Sequence, residues 1–166
     1  MKNNEIKIDM GKMTSEIFDK IIQLSNEFIQ DDSKYLRLEL KKENATIAKM
    51  LFEIISLNFY IYYNNFLNKL NEGEKQELLT SFMRNYEKYC LDNFGFEEED
   101  FLKICSLLNY RFKEYSESNN IRETSKIVIK NIIEEDKDDP EKEVVIGKYY
   151  SYVLENISKG IMENIE

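Results

Sequence analysis

The residues best suited to chemistry in this chain are four acidic side chains arranged in two closely spaced pairs. Glu74 and Glu77 form the first pair, and Glu97 and Asp100 form the second pair further along the chain. A spacing of three residues places both carboxylates of a pair on one face of a helix. Two such faces opposed would hold Mg²⁺ against a triphosphate, because this hard cation prefers oxygen ligands.

This ExxE…ExxD pattern resembles the magnesium site of the all-α nucleotide pyrophosphohydrolases. The resemblance covers only the stretch from Glu74 to Asp100. It implies a Mg²⁺-dependent nucleotide hydrolase in which those four carboxylates bind the metal. A second interpretation of the same acids stays open, because the pairs follow Gly73 and Gly95 and open their helices. Acids are expected in a first turn, where they face the positive end of the helix dipole.

The absence of histidine limits the kinds of enzyme that this chain could be. A chain with 0 His has no Ser-His-Asp or Cys-His nucleophile system and no His-ligated zinc. It also lacks the usual general base near neutral pH. Neither GxGxxG nor GxxxxGK[ST], the two common phosphate-binding loops, occurs in the sequence. We therefore favour a non-enzymatic protein with no cofactor and, outside the hydrolase interpretation, no metal.

The composition predicts one acidic helical domain that spans residues 1–166. A length of 166 residues suits a single domain, and only 5 Gly and 1 Pro favour long helices over a turn-rich fold. The net charge of −9 repels phosphate backbones and anionic lipids, so we expect neither nucleic acid nor a membrane as partner. The expected partner is another protein, and a basic one fits this charge.

Three features of the sequence favour a cytoplasmic location. The amino-terminal segment lacks the apolar run of a signal peptide. No stretch approaches the roughly 20 apolar residues that a membrane helix needs. Cys90 and Cys105 do not form a CxxC pair, so we expect reduced and inert thiols.

The middle of the chain predicts a helix that is buried on most of its circumference. Residues 54–68 read IISLNFYIYYNNFLN and carry no charge. Over residues 47–70, the polar positions recur every three or four residues and form one narrow stripe: Lys49, Glu53, Ser56, Tyr60, Asn64 and Asn68. Because the rest of the cylinder is mostly apolar, this helix is expected at the centre of a bundle.

Apolar periodicity predicts the remaining helices and an all-α fold. The predicted helices cover residues 14–30, about 74–93, about 120–134, and 140–165, and a further helix begins at residues 97–100. Together with residues 47–70 they predict an irregular antiparallel bundle of five or six helices. Residues 5–10 and 35–41 alternate with period two, which indicates a small two-stranded ribbon or, for the second, a short helical turn. Residues 1–13 would then form an amino-terminal arm or short strand.

Arg111 is the first candidate for a contact with a partner. It falls within the apolar arc of the fourth helix, where an arginine must pair with a carboxylate or extend to water. Glu53, on the polar stripe of the central helix, is the expected intramolecular partner. The alternative is a specific contact with an anion or with another protein.

The other candidates lie towards the carboxyl end. The charged run 134–143, EEDKDDPEKE, is either a solvated connection or a docking strip for basic residues, with Glu134, Asp136 and Asp138 as contacts. The tyrosines of the last helix, Tyr149 and Tyr152 among them, are spread over nearly half of its circumference. At least one is therefore expected at the surface. These features predict an inhibitor, immunity or adaptor protein of a bacterium or phage that binds through an acidic, tyrosine-bearing surface.

Overall fold

The computed structural model describes residues 10–31, 47–67, 69–134 and 137–165, and these segments form six α-helices with no β-strand among them. The helices are α1 Met10–Gln30, α2 Ile47–Leu67, α3 Glu72–Phe94, α4 Glu98–Glu117, α5 Ile121–Ile133 and α6 Pro140–Ile165. The prediction of an all-α helical bundle is therefore confirmed. The predicted ribbon lies outside the described residues except for Met10, which begins α1, so residues 10–13 of the predicted arm are helical.

Helix α2 supplies much of the core. It packs against α1, α4, α5 and α6, and Ile54, Ile55 and Phe59 on it are fully buried. The ring of Phe59 stacks on Phe82 of α3, with 3.4 Å between the ring centroids. Residues 54–62 of the uncharged stretch are all buried, so contacts with neighbouring helices explain why this part of the chain carries no charge.

The polar stripe of α2 is buried as well, where it meets α4. Glu53, Ser56 and Tyr60 are all buried, and the Tyr60 hydroxyl donates a hydrogen bond to the backbone carbonyl of Tyr115 at 3.2 Å. The hydroxyl of Ser56 donates to the carbonyl of Phe52, one turn earlier, at 2.7 Å. Buried polar groups of this kind need partners inside the protein. The partner of Glu53 is Arg111 on α4.

The connection between α3 and α4 is short and sharply turned. Gly95 ends α3 in the left-handed conformation, with φ 62° and ψ 29°, which glycine adopts without steric cost. Only residues 95–97 separate the two helices. The start of α4 therefore lies at the carboxyl end of α3.

Candidate functional site

The two carboxylate pairs of the ExxE…ExxD pattern lie at opposite ends of α3. Glu74 and Glu77 belong to its amino-terminal turns, whereas Glu97 and Asp100 begin α4 beyond its carboxyl end. Because an α-helix rises about 1.5 Å per residue, roughly 25–30 Å of helix separates the pairs. Within the described ranges, no group of three or more Asp, Glu, Cys or His side chains could hold a metal ion. The structure does not bring the four carboxylates together.

The same acids satisfy backbone groups at the helix starts. Glu74 Oε2 accepts a hydrogen bond from the Asn71 backbone N–H at 2.9 Å, and Asn71 Oδ1 accepts one from the Glu74 N–H at 2.9 Å. Asp100 Oδ2 accepts from the Glu97 N–H at 3.1 Å. These are capping interactions, which provide acceptors for N–H groups that have none within the helix. They agree with the second interpretation of the acids, as residues that start helices.

Arg111 is held in the interior by Glu53, and this predicted pairing is confirmed. Arg111 Nε donates to both carboxylate oxygens of Glu53 at 2.9 Å, and Nη2 donates to Oε1 at 2.8 Å. Its Nη1 donates to Glu114 Oε2 at 3.0 Å, which also accepts from Asn131 Nδ2 at 3.1 Å. All three guanidinium nitrogens thus donate to carboxylates of the same chain. This cluster joins α2, α4 and α5.

Burial and pairing act in opposite directions on this cluster. Burial raises the pKa of Glu53 above its ordinary value of 4.5, and the hydrogen bonds and charge of Arg111 lower it only in part. For Arg111, burial lowers the pKa, but the hydrogen bonds and charge of Glu53 outweigh it, so the pKa is raised. The arginine therefore stays charged, and its loss would leave a carboxylate in an apolar interior.

The two candidate tyrosines of α6 have different environments. Tyr149 is buried, and its hydroxyl accepts a hydrogen bond from Asn58 Nδ2 at 2.7 Å. Asn58 Nδ2 also donates to Ser25 Oγ at 2.9 Å, so these three side chains connect α6, α2 and α1. Burial raises the pKa of Tyr149. Tyr152, three residues later, is 50% exposed and is the one of the two that a partner could contact.

The carboxylates of the acidic run are partly balanced by lysines of the same chain. Glu134 forms a salt bridge with Lys49. Asp138 Oδ1 lies 3.7 Å from Lys126 Nζ and 4.0 Å from Lys130 Nζ. The third predicted contact, Asp136, lies outside the described residues. In the described part of the run, Glu134 and Asp138 are exposed, whereas Lys142 and Glu143 are buried.

Exposed apolar side chains on α4 and α6 were missed by the sequence analysis. On α4 these are Leu102, Leu107 and Tyr110, and on α6 it is Val144, which is 54% exposed. They lie outside the apolar arcs that define the buried faces. Because apolar periodicity identifies only those arcs, it gave no indication of these side chains. On α6, the exposed residues Glu141, Val144, Lys148, Tyr152 and Glu155 fall on one side of the helix, and we name this set the α6 stripe.

The two cysteines offer no reactive thiol near neutral pH. Both are free, with Cys90 buried and Cys105 half-buried. Burial raises the pKa of Cys90 to about 11 and also raises the pKa of Cys105. Because the thiolate is the reactive form, these raised pKa values support the prediction of inert thiols.

Two further findings concern the chain as a whole. Among the helices that the structure describes, none is long and apolar enough to cross a membrane. No protein-family model, curated protein or solved structure matches this chain. Functional inference therefore depends on the residues and contacts described above.

Proposed function

We propose that this chain is a non-enzymatic protein that binds another protein through the α6 stripe. The observation that carries the proposal is the exposure of Val144 and Tyr152, at 54% and 50%, on the same helix. Positions eight residues apart lie about 12 Å apart along the axis and within about 80° around it. Exposed apolar and aromatic side chains that are close together are the kind that anchor interfaces.

The charge of the stripe supports a basic partner. Glu141 and Glu155 lie on the stripe with Val144 and Tyr152, and Lys148 is its one basic residue. Asp138, which is exposed, lies just before the start of α6. With a net charge of −9, the protein would attract a basic partner at long range and would repel acidic ones.

The proposal extends to the class of protein, its location and the arrangement of the bundle. An inhibitor, immunity or adaptor protein of a bacterium or phage, acting in the cytoplasm, fits a chain without histidine whose two cysteines stay protonated. An irregular antiparallel arrangement around α2 is supported by the short connections 95–97 and 118–120. These features suit a rigid helical protein that presents one face to its partner.

Affinity capture from the native host, read by mass spectrometry, tests the proposal. We expect the wild-type protein to retain a basic protein, and the double variant Val144→Ser/Tyr152→Ala to lose at least about tenfold of it, since anchor truncations weaken binding by 1 kcal/mol or more each. The matched control, Leu102→Ser/Tyr110→Ala, removes exposed apolar side chains from α4 instead. Retention by the α6 variant, or loss in the α4 control alone, would contradict the proposal.

A further inference from the structure

A groove of about 470 Å³ lies between the amino-terminal turns of α5 and α6. Ile121 of α5 and Val144 of α6 line it with aliphatic side chains, and Glu143, Gly147 and Ser125 also line it. Its volume is within the range of about 300–1,000 Å³ that is typical of ligand pockets. Two features of this groove are unfavourable for the isolated fold.

The first feature is a buried carboxylate oxygen without a hydrogen bond. The Glu143 side chain is 5% exposed, and its Oε1 has no hydrogen-bond partner among the described residues. Lys126 Nζ lies 3.9 Å from Oε1 and 3.7 Å from Asp138 Oδ1. At 3.9 Å, the ammonium of Lys126 offsets the charge of the Glu143 carboxylate but is too far away to donate a hydrogen bond to it. A buried acceptor without a hydrogen bond is unfavourable.

The second feature is a glycine that the fold does not require. Gly147 lies inside α6, where glycine is among the least favourable residues. A Cβ at this position would lie 3.6 Å from Ser125 Oγ and 3.9 Å from Ile121 Cγ2, which are ordinary contact distances. Packing therefore leaves room for alanine, and glycine keeps the groove open one turn after Glu143.

We propose that this groove binds the side chain of a lysine or arginine from the partner protein. The methylene stem would lie between Ile121 and Val144, as such stems do on apolar surfaces. Its cationic head would donate to the Glu143 carboxylate.

Charge and position favour this occupant over a neutral one. The unsatisfied group is an anion, and hydrogen bonds between charged groups are the strong ones. Val144 belongs both to the groove and to the α6 stripe, so a basic side chain in the groove would be continuous with the proposed interface. The inference rests on the proposed function for the source of that side chain. Arg122, exposed at the same groove, and Lys126 would oppose the incoming cation.

Titration of the purified protein with two capped tripeptides, followed by NMR of its backbone amides, tests the groove directly. The probes are acetyl-Gly-Lys-Gly-amide and its norleucine counterpart, which has a stem of the same length without the charge. We expect the lysine peptide to shift amides of residues 121–125 and 143–147 saturably. The norleucine peptide should bind at least about tenfold more weakly, because it lacks the charged hydrogen bond.

Three variants separate this mechanism from simple apolar contact. Glu143→Gln keeps the shape and should reduce lysine binding to the norleucine level, whereas Glu99→Gln, which changes an exposed carboxylate on α4, should leave it unchanged. Lys126→Gln should tighten lysine binding, because it removes the competing cation. The amide spectrum of each variant also reports whether it folds.

The outcomes are distinguishable from those of the capture experiment. Equal affinity for the two peptides, full lysine binding by Glu143→Gln, or shifts confined to other helices would overturn the inference. If a basic protein is captured through the α6 stripe while the lysine peptide does not bind, only the groove is wrong. If the lysine peptide binds but no basic protein is captured, the groove remains and the proposed function fails.

Discussion

Among the residues that the structure describes, two glutamates are almost fully removed from water, and they differ in what surrounds them. The side chains of Glu53 and Glu143 are 1% and 5% exposed. Glu53 accepts three hydrogen bonds from Arg111, whereas Oε1 of Glu143 accepts none from the described residues. Lys126, whose side chain is half-buried, lies 3.9 Å from Glu143 Oε1 and also lies 3.7 Å from Asp138 Oδ1.

The difference separates a carboxylate that holds helices together from the one that we propose binds a ligand. A buried charge with all its hydrogen bonds holds helices in one arrangement, and its partner cannot leave without a large loss. A buried carboxylate without a hydrogen bond remains at the expense of stability unless something binds it. The two tyrosines of α6 divide in the same way, since Tyr149 is tied to Asn58 and Tyr152 is exposed.

The largest difference in stability is expected when the cation beside each glutamate is removed. We expect Arg111→Met to lower the free energy of unfolding by about 3–5 kcal/mol, because it leaves the buried Glu53 carboxyl without its hydrogen bonds and its charge partner. The matched change Lys126→Met should lower it by less than about 1 kcal/mol, because the lysine is partly exposed and makes no hydrogen bond to Glu143. Urea denaturation measures both. Similar losses in the two variants would mean that the glutamates do not differ as described.

The pH dependence of stability sharpens the account of Glu53. Its pKa is raised in the folded protein by burial, so its contribution to stability is full below the ordinary carboxyl pKa and is lost as pH rises through the folded value. Arg111→Met removes the group that lowers this pKa and should raise it further. The difference in stability between wild type and variant should therefore widen as pH rises, by about 1.4 kcal/mol for each additional pKa unit.

Carboxyl ¹³C NMR titration of Glu53 measures the pKa directly, and denaturation at several pH values measures the stability. A Glu53 pKa at or below the ordinary carboxyl value would show that the arginine outweighs burial, contrary to this account.

The helices could be predicted from the sequence because apolar periodicity is a local property. Residues 47–70 were predicted where α2 spans Ile47–Leu67, and residues 140–165 match α6 Pro140–Ile165. The pairing of Arg111 with Glu53 was also predicted, because an arginine within an apolar arc needs a carboxylate. Each of these inferences uses only the pattern along one helix or one unfavourable residue.

The candidate site could not be predicted in the same way, because it depends on how helices lie against each other. The spacing of the ExxE…ExxD pattern does not reveal that α3 holds its two halves apart. Tyr149 and Tyr152 look alike in sequence, and only the packing of α6 decides which of them is buried. Glu143 and Gly147 share a face of α6 at a spacing of four residues, but only the position of α5 turns that face into a groove.

The smallest effect in the comparison concerns the glycine beside Glu143. Because a Cβ at Gly147 meets only ordinary contacts, Gly147→Ala should raise the free energy of unfolding by about 0.5–1 kcal/mol through helix propensity. The contrasting change is Gly95→Ala, which should lower it by about 1 kcal/mol because the left-handed φ of 62° is unfavourable for alanine. Urea denaturation resolves both signs. A loss of stability in Gly147→Ala would show that the fold itself needs this glycine, and the open groove would then be a consequence of packing rather than a feature kept for an occupant.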